Sequence, residues 1–163
     1  MNQQSPQPPV VPQTIAFFDG QNLYRSAKRI FGCSHPNFDP KKLALEICNH
    51  RGWQLIETRF YTGFPNSKED PFWNHFWRAK FAQMKRDSVY VFSRDLRYQD
   101  EQVTLPTGQV HIVRTKREKG IDVRIALDVI RLAHRRAYDV ALIFSQDQDL
   151  SEVAAEIRTI ARE

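Results

Sequence analysis

The chain has 163 residues, 41% of them hydrophobic and 26% charged, which suits one domain folded around a core. Lys and Arg number 24 against 19 Asp and Glu, a formal charge of +5 that suits a polyanionic partner. No apolar run reaches the roughly 20 residues of a membrane-spanning helix, and no basic stretch followed by an apolar one marks a secretory leader. The expectation is therefore a cytoplasmic protein that neither spans nor anchors in a membrane. Its two cysteines, Cys33 and Cys48, read as reduced, packed thiols rather than a disulfide framework.

Residues 1–13 hold Pro6, Pro8, Pro9 and Pro12 among Asn and Gln, a composition that predicts a flexible tail, with the folded domain over 14–163. Ile15–Phe18 is a continuous apolar run ending in Asp19-Gly20, which fits a strand covered on both faces. A helix is expected over 21–31, stopping at Gly32, with Leu23, Ala27 and Ile30 inward. Asp39-Pro40 reads as an N-cap with proline at the first helical position, opening a helix to about His50 that turns Leu43, Leu45 and Ile47 inward. Residues 53–61 form a second expected strand. A helix follows over 67–86, with Phe72, Phe76, Ala79 and Met84 on its stripe. Residues 89–93 read as a third strand and 96–113 as a hairpin turning at Pro106-Thr107-Gly108. A helix over 121–136, a strand over 139–144 and a helix over 150–161 complete the order. Alternation of strands and helices predicts an α/β fold with a central, mainly parallel sheet between helical layers, the first strand beside 139–144.

Ligands of such sheets bind beyond the carboxyl ends of the strands, where strand order reverses. Asp19 ends the first strand, Asp147 and Asp149 follow the last, and Asp122 opens a helix after a glycine. Each has an ordinary structural use in a turn or cap. Together in one crevice they repel, and they stay ionised only around a cation. Oxygen-only ligands suit Mg²⁺ or Mn²⁺ rather than zinc. Such a metal activates water for attack on a phosphodiester.

Three segments carry a family resemblance: Phe18-Asp19-Gly20-Gln21-Asn22-Leu23, Lys119-Gly120-Ile121-Asp122-Val123 and Phe144-Ser145-Gln146-Asp147-Gln148-Asp149-Leu150. In this order they resemble the signatures of NYN domains, the PIN-like nuclease domains that include LabA-like proteins. The resemblance covers about residues 14–163. It implies a three-layer Rossmann-like PIN fold and a metal-dependent endoribonuclease. It assigns metal binding to Asp19, Asp122, Asp147 and Asp149, and places Asn22 beside them as a polar positioning residue. Gln146 stands where the family loop has glycine, and the chain stops at Glu163 where PIN-like domains run on into a further strand and helix. These two departures motivate a second reading, an RNA-binding or protein-interaction module on the same fold. DNA cleavage is a third, because phosphates look alike to a carboxylate-bound metal.

Arg114, Lys116, Arg117 and Lys119 precede Asp122 with only Glu118 opposing, and are expected to hold substrate phosphates. Asp128 lies 120° round the helix from Asp122 at 100° per residue, so ion pairing with Arg124 and Arg131 is its expected role. Phe72, Trp73, Phe76 and Trp77 read as core rather than as base-stacking groups. No histidine or cysteine spacing supports zinc, and neither a P-loop nor a dinucleotide glycine fingerprint is present. The 140–144 strand carries neither proline nor lysine, so its edge is the expected interface of a homodimer.

Overall fold

The computed structural model describes residues 10–161. The expected flexible tail lies mostly outside the described residues, and Gln13 already belongs to the first strand. Chain order is β1 (Gln13–Asp19), α1 (Gly20–Phe31), α2 (Pro40–Arg51), β2 (Gln54–Phe64), α3 (Pro71–Arg86), β3 (Val89–Asp95), β4 (Arg97–Thr104), β5 (Val110–Arg117), α4 (Ile121–His134), β6 (Val140–Phe144) and α5 (Leu150–Ile160). Four strands form one parallel sheet in the order β3-β2-β1-β6. β4 and β5 pair antiparallel as a separate ribbon, closed by a Leu105–Gln109 turn with Gly108 at φ 81°.

β1 is buried on both faces, which explains its unbroken apolar run. Ile15 and Phe17 point into a core shared with Ile121, Ile125 and Val129 of α4 and with Leu150 and Val153 of α5. Ala16 and Phe18 point the other way, toward Ala44 of α2 and Trp77, Phe81 and Met84 of α3. The result is the expected three-layer α/β fold of a PIN-like domain. The first three helices start at aspartate caps: Asp19 caps α1, Asp39 accepts from the Lys42 amide at 3.0 Å, and Asp70 from the Trp73 amide at 3.2 Å.

Helix faces needed correction. On α2 the buried positions are Ala44 and Cys48, while Leu43 and Leu45 stay more than a third exposed. Small side chains let this helix approach β1 and β2 closely. On α3 the buried row is Asn74, Trp77, Phe81 and Met84; Phe72 is 63% exposed and Ala79 is exposed. Trp77 is core as expected, but Phe72 is not. Ile30, expected inward on α1, is 63% exposed. Both thiols are free, Cys48 buried and Cys33 partly so.

Candidate functional site

β1 and β6 lie side by side and finish level, Phe18 opposite Phe144. From β1 the sheet steps to β2 and β3 on one side, and β6 flanks it on the other, so their shared end is the switch point. Gly20 sits there because a Cβ would stand 2.4 Å from the Phe60 ring. It opens α1 rather than making a turn.

Asp19 is 7% exposed and accepts hydrogen bonds on both oxygens while still lining a pocket. Its Oδ1 accepts from the Asn22 backbone N–H at 3.0 Å, capping α1. Its Oδ2 accepts from Asn22 Nδ2 at 3.1 Å and from the Ser145 hydroxyl at 3.3 Å. Asn22 Nδ2 also donates to Ser145 Oγ at 3.1 Å, and so does the Asp147 amide, also at 3.1 Å. One polar chain therefore ties the end of β1 to the loop after β6.

Asp122 enters from α4. Its helix begins after Gly120, which takes φ 72° and has Arg94 Nη1 2.7 Å from where a Cβ would be. Both the left-handed backbone and the close guanidinium favour glycine there. Asp147 Oδ1 accepts from the Asp149 amide at 3.1 Å, holding that loop in a tight turn. Asp149 precedes α5 but makes no side-chain cap. Carboxylate oxygens of Asp122, Asp147 and Asp149 all lie within 4.8 Å of one another. A pocket of about 180 Å³ is lined by Asp19, Asn22, Asp122 and Asp147, with Gln21, Arg25 and Glu118. Asp122 and Asp147 belong to both the carboxylate trio and the pocket. Asp19 lines the pocket only, and Asp149 belongs to the trio only.

Glu118, Ser145 and Arg25 were not singled out for this site by sequence. Glu118 reads there as an opposing charge in a basic run, but it turns inward. Gly63 makes room for it, since a Cβ at 63 would sit 3.0 Å from Glu118 Cγ. Its Oε2 is buried without a hydrogen-bond partner among the described residues. Burial, and then the negative charge of Asp19, push its carboxyl up to about 7. Ser145 was legible only as the residue directly after β6. Arg25 follows Asn22 by three residues, so it lies on the same helix face.

The basic run before Asp122 divides in two. Arg114 pairs with Glu69 and, at 3.0 Å, with Asp100, its cross-strand partner. Arg117 pairs with Glu101. Asp100 faces Arg114 in register, Glu101 reaches Arg117 from the same facing strand but out of register, and Glu69 comes from the segment before α3. Lys116 and Lys119 are exposed and make no ion pair among the described residues. Asp128 stays out of the pocket and pairs with Arg124 at 3.2 Å and Arg131 at 3.0 Å, as expected. It is 1% exposed, with Arg59 and Tyr61 of β2 closing over it.

The family model of the NYN domain matches residues 13–162. None of the curated proteins compared matches the chain. No helix among the described residues is long and apolar enough to cross a membrane.

Proposed function

We propose that this chain, which belongs to the NYN domain family and has its PIN-like nuclease fold, is a divalent-metal-dependent endoribonuclease. The observation that carries this reading is the convergence of Asp19, Asp122 and Asp147, from three separate segments, on one pocket of about 180 Å³. The donor set fits Mg²⁺ or Mn²⁺. It is made of carboxylate oxygens, with one from each of Asp122, Asp147 and Asp149 already within 4.8 Å of the others.

Asp122, Asp147 and Asp149, with Asp19, would hold the cation. When bound, it supplies an activated water and charge neutralisation at the phosphoryl oxygens. Asn22 and Ser145 fix the rotamer of Asp19 by hydrogen bonding both sides of its Oδ2. Glu118, with its carboxyl raised to about 7, holds or releases a proton inside the pocket near neutral pH. Lys116 and Lys119 remain available to phosphates outside it.

Incubating the protein with RNA and DNA under Mg²⁺, Mn²⁺ and EDTA tests this. RNA cleavage that needs metal and disappears in Asp19→Asn is the expected result. Preference for DNA would move the substrate without moving the site. Absence of metal-dependent cleavage would leave a binding module on the same fold. The outer side of β6 carries no strand among the described residues, and we assign to it a homodimer interface. Light scattering that shows only monomer across a concentration series contradicts that assignment.

A further inference from the structure

Helix α1 contains Arg25, Lys28 and Arg29 and no acid. All three are exposed, and none makes an ion pair or side-chain hydrogen bond among the described residues. At 100° per residue, Gln21, Asn22, Arg25, Lys28 and Arg29 fall within an arc of about 120°. Leu23 and Ala27 occupy the opposite face, with Leu23 packed into the core. The basic row is therefore held outward by the helix's own amphipathicity rather than by chance rotamers.

One end of this row is the pocket, which Gln21, Asn22 and Arg25 line. Arg25 lies close enough for its charge to act on Glu118. From Asn22 the row runs along about 10 Å of helix, at 1.5 Å per residue, to Arg29. A carboxylate pocket repels phosphates, so a substrate strand needs unpaired cations leading into it. On the hairpin, Arg114 and Arg117 are already bound to acids, which leaves Lys116, and Lys119 beyond its end, as the unpaired cations of that run among the described residues. On α1 the cations are free of them.

We infer that the outer face of α1 is the track for the phosphodiester backbone of a single nucleic-acid strand. Arg25 takes the phosphate beside the reacting one, and Lys28 and Arg29 take the next along the chain. This deepens the nuclease reading and rests on it for direction. The cations span one face of a single helix, about 100° of arc, which suits one backbone rather than two. Lys28 and Arg29 also stand in the last turn, where cations favour the helix C-terminus. That role affects stability slightly and leaves nucleic-acid binding untouched.

Fluorescence anisotropy of the full chain in EDTA, with labelled oligouridylate and oligothymidylate over a salt series, separates the two. The triple variant Arg25→Ala, Lys28→Ala, Arg29→Ala is expected to flatten the slope of log K against log salt by about 2, at about 0.7 per contact on a single strand. Low-salt affinity should fall roughly tenfold or more. Lys28→Glu with Arg29→Glu, which leaves the pocket-lining Arg25 in place, should lose affinity in the same direction while the fold is kept, with only a small drop in melting temperature from the two anions at the helix C-terminus. Removing two exposed cations of α3, Arg78→Ala with Lys85→Ala, should leave the slope as it is. Similar losses on both probes mean that phosphates alone are read, and a loss on RNA alone means that the track also reads the ribose; both support it. A triple variant that binds with the wild-type slope, from a wild type that still cleaves, overturns the track and spares the nuclease reading. The expected slope change without metal-dependent cleavage keeps the track and removes the nuclease reading. A wild type that binds neither probe overturns the track.

Discussion

Asp122 and Asp128 sit on the same helix, and the contrast between their surroundings separates structure from chemistry in this molecule. Asp128 is sealed. Its Oδ2 accepts from the Tyr61 hydroxyl at 3.0 Å, Arg124 Nε at 3.2 Å and Arg59 Nη1 at 3.4 Å, while Oδ1 accepts from Arg131 Nη2 at 3.0 Å. Arg59 in turn pairs with Glu57 at 3.0 Å and stacks over Tyr90. Four donors hold its two oxygens in a site that is 1% exposed, so this carboxylate pins α4 to β2 rather than binding a ligand. Asp122 is surrounded instead by other carboxylates, Asp147 and Asp149, and shares its pocket with Glu118 and Asp19. Arg25 is the one cation lining that pocket among the described residues. A carboxylate neutralised by the protein holds a fold together, and a group of them left unneutralised holds a place for a cation.

The sharpest way to break this contrast is to remove each charge in turn. Asp128→Ala leaves the buried Arg59 with only Glu57 as partner, frees Arg124 and Arg131 and opens a cavity beside Tyr61, and should cost about 3 kcal/mol in urea unfolding. Asp122→Asn removes repulsion among acids and should leave stability unchanged within about 1 kcal/mol, or raise it. If Asp122→Asn proves the more damaging, the pocket is structural after all.

Glu118 sharpens the comparison through pH. Its folded carboxyl titrates near 7 against an ordinary 4.5, because burial and Asp19 disfavour the anion. The folded state therefore binds the proton more tightly than the unfolded one. Stability contributed by protonated Glu118 is complete below about 4.5 and is lost as pH rises through about 7. In EDTA, Glu118→Gln should be more stable than the wild type by roughly 2 kcal/mol at pH 8, with the gap closing toward pH 5. Thermal melts at the two pH values check this. A pH-independent gap would mean that the carboxyl titrates normally.

Much of this arrangement was legible before any coordinates. The strand ends at Asp19 and before Asp147 and the β1–β6 adjacency follow from apolar runs that stop near acids, because a parallel sheet places such stops on one edge; Asp122 was legible as the acid that opens a helix after Gly120. The ion pairs of Asp128 followed from helical spacing alone. Its burial did not, since Arg59 and Tyr61 come from a strand far away in sequence. The buried face of α3 was obscured by aromatics on all sides of the helix. On α2, packing selected Ala44 and Cys48 for closeness over the larger leucines. The fate of the basic run could be read only once strand pairing set Asp100 opposite Arg114.

The smallest effect is expected on that ribbon. Arg114→Ala breaks exposed pairs with Glu69 and Asp100, and should cost no more than about 1 kcal/mol in urea unfolding. Its effect on nucleic-acid binding should be well below that of the α1 triple variant.

Calorimetric titration of Mn²⁺ into the full chain tests the central claim most directly, because it reads the pocket without any substrate. The wild type should bind, with Asp122→Asn losing most of the affinity while keeping its fold by circular dichroism. At a hundredfold excess over Kd the ion should add about 2.7 kcal/mol of stability to the wild type and little to the variant. A wild type that takes up no Mn²⁺, or an Asp122→Asn protein that binds it just as tightly, would contradict the account.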